Sequence, residues 1–139
     1  MIRGDDVMPL LLEAVPSFSE PWSENEGDPM FFDEETGARL HYIDVAWFAQ
    51  HVVGLQRSGA TVELTRLFEV IERLHADGDE YVKGLATVGY LEGIQTACSH
   101  TDDVRREEFE PCLGPETRRW WRGLNAFWSG QVPRVQPRD

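Results

Sequence analysis

The sequence predicts an all-α, or mostly α, fold: one domain over residues 1–139, a bundle of about five helices, with room for a small β-hairpin near residues 30–42. Three observations carry this. Apolar residues recur at spacings of three and four, most clearly over residues 61–76, which is the period of a helix burying one face. Pro, Gly and Asp stand where helices should start and stop. The composition is 41% hydrophobic and 27% charged, with five Trp, seven Phe and three Tyr, which suits a packed globular chain and not a disordered one. A chain of 139 residues is one domain by size and long enough to bury a core.

Each element has its own signal. Residues 5–15 read as a first helix, capped by Asp5 or Asp6, with Pro9 in its first turn and Pro16 at its end. Residues 16–40 are a long polar connection, and long connections in compact domains are often functional. Inside it, apolar residues flank a Thr-Gly turn, the hairpin signal. Residues 43–57 are apolar over a wide arc and predict a central helix with Asp44 near its start. Residues 61–76 follow with Thr61 as cap and Gly78 as stop. The short Ala-Asp-Gly-Asp break then turns the chain back, with Asp79 capping a fourth helix that pairs antiparallel with the third. Three glycines in that helix, Gly84, Gly89 and Gly93, suit the close approach of a neighbour. Pro115 opens a last helix closed by Gly130, with Trp120, Leu124, Phe127 and Trp128 at core spacing. The tail beyond it reads as loose.

Charge narrows the function. The net charge is −12, and residues 1–44 carry 11 acids against two bases. Binding to a phosphate backbone needs a cationic face, so nucleic acid is excluded as a partner. An acidic chain suits a basic protein partner, or simply solubility. Cys98 and Cys112 match neither a disulfide scaffold nor a zinc pattern. No cleavable leader and no apolar run of about 18 residues is present, so the expected compartment is the cytoplasm, with no membrane contact.

Catalytic motifs are missing: there is no phosphate loop, no nucleophile elbow and no zinc-protease helix, and no catalytic residue or cofactor is expected. Glu72 and His75 make a Glu-x-x-His step, half of the ligand set of a di-iron bundle. The second half is absent, so no metal is expected, and His75 is read as packing at a helix end. Glu92, in an apolar stretch, either faces water or pairs with an Arg of the last helix. Arg118, Arg119 and Arg122 read as snorkelling beside a core stripe. The richest remaining feature is the acidic connection. Trp22, Glu24, Glu26, Asp28, Phe32, Asp33, Glu34 and Glu35 are the candidate partner-binding residues, the carboxylates steering and the rings anchoring. The alternative is a solvated loop.

Two stretches carry a resemblance. They include Ile71, Glu72, Gly78 and Asp79, then Gly89, Tyr90, Leu91 and Glu92, then Leu113, Gly114 and Pro115. This arrangement resembles small uncharacterised bacterial helical proteins regarded as immunity proteins of polymorphic or contact-dependent toxin systems. The resemblance covers about half the chain and leaves out its N-terminal third. It implies a non-enzymatic protein that binds and neutralises a cognate bacterial toxin domain, such as a nuclease. The alternative expectation is a helical regulatory or adaptor protein with an unrelated protein partner, and a third is a metal-dependent enzyme.

Overall fold

A computed structural model describes residues 1–24 and 28–139. Among them the helices are α1 (Gly4–Ala14), α2 (Ser19–Glu24), α3 (His41–Ser58), α4 (Thr61–Asp77), α5 (Glu80–Gly84), α6 (Glu92–Ser99) and α7 (Pro115–Trp128). A π-helical stretch, Leu85–Leu91, joins α5 to α6 with helical backbone at both junctions. The all-α class is therefore observed, but the expected five helices become seven. The fourth is one rod divided by the π stretch, and α2 is a short extra helix inside the polar connection.

Local chemistry explains the starts of α1 and α5. The Asp6 carboxylate accepts the Arg3 N–H at 2.9 Å at the head of α1. Because α1 begins at Gly4, Pro9 lies inside the helix rather than in its first turn, on an exposed side where a missing N–H is tolerable. Asp79 caps α5 as expected, accepting the Val82 N–H at 2.8 Å. Thr61 does not cap α4; its hydroxyl donates back to the Gly59 carbonyl at 3.1 Å, and Ala60 occupies the cap.

The hairpin near residues 30–42 does not form. Phe32 and Arg39 make an isolated antiparallel bridge, and no strand is present among the described residues. The reason is Asp33. Its Oδ1 accepts the Glu35 N–H at 2.9 Å, the Thr36 N–H at 2.8 Å and the Thr36 hydroxyl at 3.1 Å. That side-chain turn closes the loop after one rung, and α3 then starts at His41, leaving no residues for a ladder.

α4 is the hub of the core: it packs against α1, α3, α5 and α7. Leu64, Leu67, Phe68, Ile71 and Leu74 are buried along it. The rod after Asp79 meets α4 through α5 and the π stretch, while the principal neighbour of α6 is α3. The face that α7 buries is set by α4 and carries Thr117, Trp121 and Leu124. Trp128, expected in the core stripe, is instead 56% exposed. Nor is the tail loose. Its backbone crosses α7 at Gly123, where a Cβ would meet the Gln136 carbonyl, and the Arg138 N–H donates to the Arg119 carbonyl at 2.8 Å.

Candidate partner-binding surface

The acidic connection presents carboxylates and keeps its rings. Glu24, Asp28, Glu34 and Glu35 are exposed, Asp33 is half-buried in the turn it makes, and Glu26 lies outside the described residues. Hydrogen bonds from the Thr36 and Glu35 N–H groups hold the Asp33 carboxyl below the usual range. Trp22 and Phe32, expected as exposed anchors, are half-buried. The Arg39 guanidinium lies 4.2 Å over the Trp22 ring and 5.0 Å over each of Phe31 and Phe32. Trp22 also stacks on Trp47 with centroids 5.8 Å apart.

Beneath the rings, Arg39 grips Asp44 with a fork: Nη2 to Oδ1 at 2.6 Å and Nε to Oδ2 at 3.0 Å. Asp44 is 1% exposed, so the pair is nearly dry and the aromatic sleeve excludes water from it. This clasp ties the connection to α3. Sequence reading missed it, although Arg39 is one of only two bases in residues 1–44 and stands five residues before an acid in an apolar helix.

Glu72 and His75 are brought together with α7. Glu72 accepts the Thr117 N–H and hydroxyl, each at 2.8 Å, and the Glu116 N–H at 3.1 Å. A side chain of α4 therefore caps the start of α7, where the helix dipole favours a carboxylate. Because the Thr117 hydroxyl donates to Glu72, it accepts from His75 Nδ1 at 3.2 Å, and the Thr87 hydroxyl donates to Nε2 at 2.9 Å. That pattern fits a neutral imidazole, and burial pushes His75 below its usual value. Gly114 is needed here: a Cβ would sit 2.6 Å from Glu72 Oε1. A cavity of about 410 Å3 opens beside His75, next to Thr87 and Trp120, but both ring nitrogens are occupied by the threonines. Among the described residues no group of three or more His, Cys, Asp or Glu is placed to hold a metal ion. Cys98 is buried with its thiol pushed up to about 11, which leaves little nucleophilic thiolate at neutral pH.

A second face lies across α3, α5 and the π stretch. Tyr42, Tyr81 and Val88 are 47%, 46% and 50% exposed. The two tyrosine rings meet edge to face at 6.3 Å, and Tyr81 Oη is 3.0 Å from His41 Nδ1. Beside Tyr42 a groove of about 260 Å3 runs between α3 and α6. The helices approach closely because of the glycines: a Cβ on Gly93 would meet Val45 Cγ1 at 2.9 Å, and one on Gly89 would lie 3.4 Å from Val45 Cγ2. Glu92 lines this groove. It is half-buried, burial raises its pKa, and no described cation pairs with it, so neither sequence expectation for this residue is met.

No described helix is long and apolar enough to cross a membrane. The family model for DUF7674, a domain of unknown function, matches residues 8–129, and the chain belongs to that family. No curated protein and no solved structure matches the chain.

Proposed function

We propose that this member of the DUF7674 family is a non-enzymatic binding protein of the immunity type, which binds and neutralises a cognate bacterial toxin domain with a basic active cleft, such as a nuclease. The observation that carries the reading is the charge and its placement. The chain has a net charge of −12. The carboxylates of Glu24, Asp28, Glu34 and Glu35 point outward from a segment whose aromatic rings are held by Arg39. A nuclease must present a cationic cleft to its polyanionic substrate, so an acidic inhibitor meets it with an opposed field and associates quickly. The occupied His75 nitrogens and the raised Cys98 thiol also favour binding over catalysis.

The test has two stages. The tagged full chain is used to recover its partner from the native host, and the partner gene is then expressed in an unrelated cell with and without this chain. The expected result is a basic partner that arrests growth alone and fails to do so when this chain is present. A partner that is harmless, or whose toxicity is unaffected, overturns the reading.

A further inference from the structure

We propose that the groove between α3 and α6 receives an arginine or lysine side chain of a basic protein partner, with Glu92 as its counter-ion and the Tyr42 ring as its wall. The inference rests on the basic-partner reading above and locates the contact on α3 and α6 rather than on the acidic connection. Three observations meet here. Glu92 is a half-buried carboxylate without a described cation, whereas the buried Asp44 is gripped by Arg39, and the half-buried Glu72 and Glu116 are engaged by the start of α7 and by Arg119. Such a group loses hydration without gaining a partner, and a cation would restore the balance. Its floor of Gly89, Gly93 and Ala97 leaves space for an aliphatic stem, about 260 Å3 in all. Its edge carries the exposed Tyr42 and Val88, with Tyr81 beside Tyr42, and tyrosine is enriched at the centres of interfaces.

Charge complementarity fixes the occupant. Asp5 is 95% exposed and lies 3.5 Å from His41, which contacts Tyr81, and Glu80 is exposed on α5. Lys83 is the lone lysine of the chain and Arg39 is held by Asp44; His100 is the basic residue that lines the groove, whose described lining has no lysine or arginine. An apolar or acidic segment would leave Glu92 unpaired under the contact. A cation over the tyrosine face gains from both the carboxylate and the ring.

The probe is the peptide acetyl-(Arg)4-amide, titrated into the full chain at physiological salt and followed by backbone NMR. Saturable shifts are expected at Tyr42, Val88, Glu92 and Gly93. Glu92→Gln, which keeps shape and removes a charge that no described cation pairs with, should melt like wild type and weaken the peptide at least about tenfold. Tyr42→Leu should weaken it about threefold or more. Replacing Glu34 and Glu35 by Lys should change affinity less than Glu92→Gln does. If the shifts fall on the acidic connection and Glu92→Gln leaves the affinity unchanged, the groove is refuted while the basic-partner reading survives. No saturable binding at millimolar peptide also refutes the groove, and the partner recovered from the host then decides the broader reading separately. A concentration-dependent dimer in sedimentation that Glu92→Gln abolishes would give the groove to a second copy of the chain and overturn the proposal.

Discussion

Replacing Gly114 with Ala should destabilise the protein through a residue 42 positions away in the sequence. The backbone at Gly114, φ −72° and ψ 171°, is open to any residue, so the effect is not conformational. The added Cβ would lie 2.6 Å from Oε1, 2.7 Å from Cδ and 2.8 Å from Cγ of Glu72, all inside contact distance. A free glutamate tip would swing aside cheaply. This one is held by three hydrogen bonds to the head of α7, at 2.8, 2.8 and 3.1 Å. Hydrogen bonds to a charged acceptor contribute about 1.5–3 kcal/mol in buried settings, and Glu72 is partly exposed, so water recovers much of the loss. The cost of Glu72→Ala is then about 2 kcal/mol, within the upper range for a lost helix cap. Gly114→Ala alone should cost about 1–2 kcal/mol by displacing the carboxylate, and much less in the Glu72→Ala background, where the space is empty. Urea melts of the four proteins measure the coupling. Additivity within about 0.5 kcal/mol would refute the idea that Gly114 exists to admit the Glu72 cap.

Phe68→Ala should cost about 3–5 kcal/mol, because the ring is fully buried against Phe109; a loss below about 1 kcal/mol in urea would place it on a yielding surface. Burial holds His75 below its ordinary value, so the unfolded chain takes up the proton first; stability is full above about pH 6.5 and declines as pH falls below it. His51 acts in the same direction, so the comparison is with His75→Gln, whose stability should change less between about pH 7.5 and pH 5.5; equal changes would remove His75 from the account. Glu34→Lys with Glu35→Lys should slow association with the basic partner by about three- to tenfold and leave dissociation nearly unchanged, as rim charges do. Asp33 is left intact because it builds the turn. Surface-plasmon kinetics at two salt concentrations read this directly, and an on-rate indifferent to both salt and charge reversal would reduce the segment to a solvated loop.

Features set by neighbours along the chain could be read without a fold. The 3–4 period placed the helix of residues 61–76 within a residue of α4, Asp79 capped α5 as read, and Pro115 opened α7. Capping and amphipathicity act within one or two turns, so they are legible without a fold. The candidate site was legible only as composition: the acids of residues 24–35 were found, but the rings among them were assigned to a partner. Tertiary structure decided that Arg39 would clasp Trp22 and Phe32, that Glu72 would cap α7, and that Trp121 rather than Trp128 would be buried. It also set Glu92 in a groove whose described lining has no lysine or arginine, and laid the tail across Gly123. Each of these turns on which helix faces meet. A carboxylate on α4 finds the amides of α7 only after Gly114 lets the two elements touch, and neither residue alone announces the other.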